Sequence, residues 1–321
     1  MNDIASLKDG DCMNRAGDSA ENHILTQSLT AGELARMLDM PREVLNALDA
    51  IGQAEGTDWS NDADWSNDAD MQGILRSLTE HAHRREAWKR LQSVIRAGVQ
   101  ANADPDGFVM LHCMLEAAGK YSLPKYRQLH IPDAIFLNTM RAFTRFVEES
   151  IPRHHHYCFD RDFWTFRHLS LTLFRVGSLE YEFAQDPEDI EIGVQGPTIN
   201  VHIPSDARLQ PKNVEESIRL WDRFSAECFP RWSSLPKYCT SWMLSPALER
   251  LLPESSNILA FQRRFELIEF DEDSQDWREW VFNEDPSPIE QLPERTSLQR
   301  SMKRFILGGG KVGVASGRML G

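Results

Sequence analysis

The spacing of the apolar residues changes once along this chain, and that change limits the folds open to it. Up to about Ser150 they recur at intervals of three and four, the spacing of one face of a helix. In "LSLTLFRVGSLEYEF", Leu169 to Phe183, the interval becomes two. Leu179, Tyr181 and Phe183 then point one way and Glu180 and Glu182 the other, as in a strand. Helices first and strands afterwards imply an α/β (α+β) chain with an all-helical N-terminal domain and a mixed-sheet C-terminal domain. We place these at residues 29–152 and 153–321, after a polar, unpatterned 1–28 expected to be a disordered tail.

Local signals mark the elements. Thr30 to Glu33 spells a capping box ahead of Leu34, Met37 and Leu38, and Pro41 suits the first turn of a second helix. "DWSNDADWSNDAD" repeats DWSNDA from Asp58; it lacks the central Gly and closing Glu of a calcium loop and reads as a surface linker. Periodicity resumes at Leu75 and Leu78 and again through Trp88, Leu91 and Ile95. Asp104 and Pro105 open a helix that Gly119 is expected to end. Pro132 starts a long one carrying Ile135, Phe136, Met140, Phe143 and Val147.

Beyond the junction, Gly177 divides the alternating segment as a hairpin turn or bulge. "PTINVHIP" is a strand stopped by Pro204, and a helix follows at about Asn213 to Cys228. Tyr238 to Met243 is the next strand, and "SPALERLLP" a short helix with Ser245 as N-cap and Pro246 at its first position. "RRFELIEFDED" and "DWREWVF" read as two late strands paired across an acidic turn. Thr296 to Gln299 caps a last helix ended by Gly308 to Gly310.

Composition excludes some functions. With 49 acidic against 35 basic residues the formal charge is -14, which disfavours a nucleic-acid binder. No apolar run reaches a membrane span, and no apolar leader follows the first Met, so we expect a cytoplasmic protein. Five scattered cysteines without a CxxC pair fit free thiols. "PRHHHYCFDRD", Pro152 to Asp162, gathers three histidines. Consecutive histidines fan out by about 100° each in a helix or alternate in a strand, so they do not aim at one ion. His154 with Cys158 is the one helical pair, and we expect a polar interdomain turn with no metal.

Several longer phrases now combine. "FDRDFWTFRHLSLTLFRVGSLEYEF", "INVHIPSDARL", "SWMLSPALERLLPESSNILAFQRRFEL" and "LPERTSLQR" resemble the bacterial acyltransferase-domain proteins. Those join a helical N-acyltransferase N-terminal domain to a GNAT-like C-terminal domain. "IPDAIFLNTMRAFTRFVEE" resembles the end of that N-terminal domain, and the likeness runs from about Leu34 to Arg304. It implies an acyl-CoA co-substrate lying where the central strand splays from the next, with its pyrophosphate on the N-terminus of the helix between them. It also implies an acceptor, which we expect to be a small amine or a peptide amine.

On that reading the cofactor segment is Ile203 followed by "PSDARLQPKNVEES". Ser205, Arg208, Lys212 and the N–H groups near Asn213 are its donors, with Asp206 and Glu215 opposed to a phosphate. The Gly-x-Gly pattern of the resembling fold is absent from this loop, which contains no glycine. The candidate catalytic residues are His202, at the end of the central strand, and Glu180 and Glu182, as bases. Tyr238 and Cys239 open the neighbouring strand. Each has a plainer reading: a solvated sheet face for the glutamates, a backbone cap for His202 and a small buried hydrophobe for Cys239. Thr240 stands where the resembling proteins lead us to expect His or another large polar residue. A non-catalytic, GNAT-derived binding or assembly module is the alternative function. Oligomeric state is not legible.

Overall fold

The computed structural model describes residues 28–54, 69–98, 104–186, 194 and 196–320. The expected tail and the DWSNDA duplication lie outside the described residues.

Among the described residues eight α-helices come first: α1 (Ala31–Met37), α2 (Arg42–Ala54), α3 (Ala69–Leu78), α4 (Arg84–Gly98), α5 (Phe108–Ala117), α6 (Leu123–Gln128), α7 (Asp133–His154) and α8 (Asp162–Leu169). The capping box at α1 is formed in both directions: Thr30 N–H donates to Glu33 at 2.9 Å, and Glu33 N–H donates to the Thr30 hydroxyl at 3.2 Å. Asp104 caps α5 by accepting from Val109 N–H at 3.0 Å. Gly119 does not end that helix. The chain passes through one π-helical turn, Ala118–Ser122, into α6. A Cβ on Gly119 would lie 2.0 Å from the Leu29 carbonyl oxygen, so glycine is required there for close approach of two backbones.

The sheet follows: β1 (Leu173–Val176), β2 (Leu179–Ala184), β3 (Thr198–His202), β4 (Lys237–Ser241), β5 (Phe265–Asp271) and β6 (Val314–Met319), in the order β1-β2-β3-β4-β6-β5. Of the two readings of Gly177 the turn holds: β1 and β2 form a hairpin around it, and its φ of 66° is open to glycine at little cost. Helix α9 (Pro211–Cys228) crosses from β3 to β4, the one parallel neighbour pair. It covers the apolar face of β1–β3: the Trp221 ring stacks on Tyr181 at 4.5 Å, and Phe224 meets Phe174 edge-on at 5.1 Å.

Two late expectations are corrected. "DWREWVF" is a helix, α12 (Asp276–Phe282), not a strand. Trp277, Trp280 and Val281 are spaced i, i+3, i+4, a helical pattern that outweighs the aromatic content. The partner of β5 is β6, reached only after α12 and α13 (Ser297–Leu307). Its Ala-Ser-Gly centre has little strand signal because Gly317 lies against Phe265, where an added Cβ would stand 2.9 Å from the ring-bearing carbon. Strand β4 ends at Ser241 and turns into a short 3-10 segment. The helix in "SPALERLLP" is α10 (Leu248–Leu251), so Ser245 caps the preceding turn, accepting from Ala247 N–H. Helix α11 (Asn257–Gln262) leads into β5.

One apolar core runs from Ala31 to Ala315 and joins the helical part to the sheet. A second, around Trp242, Trp277, Phe282 and Met302, holds α10, α12 and α13 together beside it. Because Trp221 is completely buried against the sheet, Trp221→Ala should cost about 3–5 kcal/mol of stability, read from the urea midpoint. A loss below about 1 kcal/mol would mean α9 is not seated on the sheet by this ring.

Candidate active site

The polar face of the sheet is not in water. Glu180 and Glu182 are 2% and 0% exposed, so the expectation of a solvated face is corrected. The helical part covers that face and supplies cations to it. Arg145 of α7 donates to Glu180 Oε1 at 3.0 Å, and His168 of α8 lies 3.7 Å from the other oxygen. Arg167 of α8 donates to Glu182 Oε2 at 3.0 Å, and Arg84 of α4 stands 3.5 Å from Oε1. Burial pushes both carboxyls up, and these neighbours more than reverse it. Arg145 leads in holding Glu180 below the ordinary carboxylate range. The His202 hydrogen bond and Arg167 bring Glu182 down to about 2.

His202 stands opposite Glu180 across the β2–β3 ladder, and its Nε2 lies 3.0 Å from Glu182 Oε2. An ionised Glu182 can only accept, so Nε2 donates in this bond, and in the neutral imidazole the lone pair is on Nδ1. The Trp164 ring meets His202 edge-on at 5.0 Å, with the Arg167 guanidinium 4.4 Å above Trp164. A carboxylate, a cation and an indole thus fix the orientation of one half-buried histidine.

Strands β3 and β4 pair at Ile199 with Lys237 and Asn200 with Tyr238, and the recorded ladder stops there. Beyond it, Val201, His202 and Ile203 form one wall of a cleft and Cys239, Thr240 and Ser241 the other. The cleft encloses about 470 Å³. Its upper rim is Arg145, Phe146 and Glu149 of α7, Arg161, Phe163 and Trp164 at α8, and Asp276, Glu279 and Trp280 of α12.

His202, Glu180, Cys239, Ile203 and Ser205 therefore meet at one cleft. Glu182 is not among the cleft-lining residues and meets His202 Nε2 at 3.0 Å. Tyr238 stands in the backbone ladder opposite Asn200 and Arg318 and is not among the cleft-lining residues. Cys239 is 1% exposed. Arg208, Lys212 and Asn213 sit apart from the cleft lining, on the loop into α9 and its first turn. The acids read as opposing a phosphate there are both paired. Asp206 accepts from Arg175 at 2.9 Å and Glu215 from Arg264 at 2.7 Å. Exposed Arg208 and Lys212 thus carry positive charge beside a helix N-terminus.

Sequence reasoning missed the rim. Arg145 and Glu149 lay in a helix read for its apolar stripe, Trp164 in a junction segment given no element, and Asp276, Glu279 and Trp280 in a segment misread as a strand. The signal for the last three was the i, i+3, i+4 spacing itself.

Away from the cleft, His154, Cys158 and Asp160 bring their ligand atoms within 4.8 Å of one another. His154 Nε2 is 2.9 Å from Asp160 Oδ2, while Arg153 donates to the other oxygen at 2.9 Å. Burial pushes the Cys158 thiol up. His156 pairs with Asp106 instead, and His155 ends α7 with φ 64°. An arginine on the carboxylate and a thiol held protonated are a poor cation site.

A six-stranded mixed sheet whose central parallel pair opens into a cleft, with a histidine at the opening, is the GNAT-like acyltransferase fold. The comparisons agree. Residues 30–171 match the N-acyltransferase N-terminal domain and residues 173–319 the GNAT-like C-terminal domain. The chain belongs with the proteins that join these two domains. An acyltransferase solved in complex with decanoyl-CoA and teicoplanin is 22% identical, with TM-score 0.69 over 94% of this chain and 90% of its own. An acyltransferase mutant in complex with octanoyl-CoA is 22% identical, with TM-score 0.67 over the same 94% and 90%. An acyltransferase in complex with CoA and 10C-teicoplanin is 20% identical, with TM-score 0.59 over 91% of this chain and 99% of its own. At these identities the likeness is one of fold. No curated protein sequence matches the chain. No helix among the described residues is long and apolar enough to cross a membrane.

Glu180 is the nearest carboxylate to the buried Arg145, and its loss leaves that guanidinium the more distant Glu149 at 3.7 Å and Asp206 at 3.8 Å. Glu180→Gln should therefore cost about 3–5 kcal/mol in denaturant unfolding; a change within about 1 kcal/mol would show that Arg145 does not depend on it. The Glu182 carboxyl lies lower in the folded chain than its ordinary 4.5. Its stabilising effect is complete above pH 4.5 and is lost as pH falls towards 2. Thermal melts from pH 6 to pH 2.5 should show a steeper acid-side fall in wild type than in Glu182→Gln. Parallel curves would refute this.

Proposed function

We propose that this protein is an acyl-CoA-dependent N-acyltransferase. The observation that carries the reading is the opening of β3 from β4 with His202 at its mouth, its Nε2 held by Glu182 at 3.0 Å. The acyl thioester lies in the opening, where strand ends freed from pairing offer main-chain groups to an extended pantetheine arm. The diphosphate end lies towards Arg208, Lys212 and the start of α9. Acyl-CoA is supported by the neighbours solved with decanoyl-CoA, octanoyl-CoA and CoA, and an acyl chain suits the apolar lining from Phe146, Val201, Ile203, Trp242 and Met243.

The acceptor amine attacks the thioester carbonyl, forming the C–N bond. Nδ1 of His202 takes the amine proton as positive charge develops on nitrogen. Glu182 stabilises the resulting imidazolium through Nε2–H, and its own charge is sustained by Arg167 and Arg84. Collapse of the tetrahedral adduct breaks the C–S bond, and the proton returns from His202 to the departing thiolate. The edge of Trp164 holds the ring in place through both transfers.

Titration with acetyl-, octanoyl- and decanoyl-CoA should raise the melting temperature, since each binds only the folded chain. No shift with any of them would sink the proposal. His202→Ala should lower kcat by about 10²–10⁴ while still binding acyl-CoA, measured by thiol release and by the same thermal titration. Undiminished turnover in that variant would remove His202 from the mechanism.

A further inference from the structure

The open end of the cleft has a chemistry the acyl group does not use. Three of the large apolar side chains exposed among the described residues are aromatic: Phe163 at 45%, Trp280 at 46% and Phe270. Two of these three, Phe163 and Trp280, line this cleft, from α8 and from α12. Aromatic surface exposed at the rim of a cavity, here the Trp280 indole and the Phe163 ring with the Arg161 guanidinium 5.7 Å from its centre, marks a place where a ligand lies.

The charge at that end is acidic. Asp276 and Glu279 precede Trp280 on α12 by four residues and one, and Glu149 of α7 lines the same cleft. The nearby cations are already engaged. Arg161 pairs with Glu279 at 2.7 Å and Glu284 at 3.0 Å, and Arg145 with Glu180 at 3.0 Å. Asp276 accepts only from the Ser274 hydroxyl, at 3.0 Å, and has no cationic partner among the described residues. A carboxyl side chain one helical turn from an exposed indole suits a ligand that combines an ammonium with a flat ring.

We propose that Asp276, Trp280 and Phe163 form the acceptor subsite, and that it takes a primary ammonium carried on an aromatic ring. The inference rests on the transferase reading and narrows its acceptor. The ring lies against Trp280 and Phe163, and the ammonium against Asp276. One ammonium proton passes to solvent at the open end, leaving the nitrogen lone pair free to attack. The second passes through His202 to the CoA thiolate. The products are the amide, CoA thiol and the released proton.

The test uses the full chain with 2-phenylethylamine, butylamine, glucosamine and 2-phenylethanol, by calorimetric titration and by thiol release from octanoyl-CoA. 2-Phenylethylammonium should bind at least ten-fold more tightly than each of the other three. It should also be acylated with the highest kcat/KM. Asp276→Asn should erase the preference for the ammonium over the alcohol, and Trp280→Ala the preference for the ring over butylammonium. Both variants should keep the wild-type affinity for octanoyl-CoA, which separates loss of a subsite from loss of fold. Equal binding of the alcohol, equal or better kcat/KM with butylamine or glucosamine, or unchanged preferences in both variants would overturn the subsite and leave the transferase standing. Octanoyl-CoA binding with no thiol release for any amine, while 2-phenylethylammonium still binds through Asp276, would overturn the transferase and leave the subsite as a binding site.

Discussion

Two carboxylates in the middle of a sheet, closed off from water, hold this structure to one arrangement. Glu180 and Glu182 carry charge that burial alone would not allow. The compensating groups come from outside the sheet: the guanidinium cations of Arg84, Arg145 and Arg167, with the His168 imidazole beside Glu180, all from the helical part. Separating the helices from the sheet would strand charges on both sides. The shared apolar core supplies non-directional adhesion, whereas the ion pairs specify which helix faces which strand.

The same pairs reach the candidate chemistry. Glu182 has one oxygen on Arg167 and His202 together and the other near Arg84. The imidazole is therefore oriented by a residue that is itself fixed by two helices. The orientation of His202 is in this sense a property of the whole molecule, set by α4 and α8 as much as by β3. The rim is assembled in the same way, with α7, α8 and α12 converging over the splayed strands from three separated stretches of chain.

Much of the local structure was legible. The alternation from Leu169 to Phe183 forecast the β1–β2 hairpin, the Thr30 and Thr296 capping boxes marked α1 and α13, and Pro204 marked the end of β3. The failures share a cause. "DWREWVF" has strand-like composition but helical spacing, and β6 is built on Ala315, Ser316 and Gly317, chosen for close approach to β5. Gly119 looked like a helix stop because glycine often is one. Here it admits the Leu29 carbonyl, a contact between parts of the chain distant in sequence.

The sequence by itself determined the run of helices up to about Ser150, the strands around Gly177 and the histidine that ends the central strand. Those follow from periodicity, caps and proline, which act over a few neighbouring residues. It did not determine whether the glutamate face of β2 met water or arginine, because that depends on what folds over the strand. Only the tertiary structure decided that these carboxylates are buried and ionised. It also decided that Asp206 and Glu215 are neutralised by Arg175 and Arg264, and that Trp164, Asp276 and Trp280 share a cleft with His202. The physical reason is the same in each case: the energy of a charge or an aromatic face is set by its surroundings in space, and those surroundings come from residues far away along the chain.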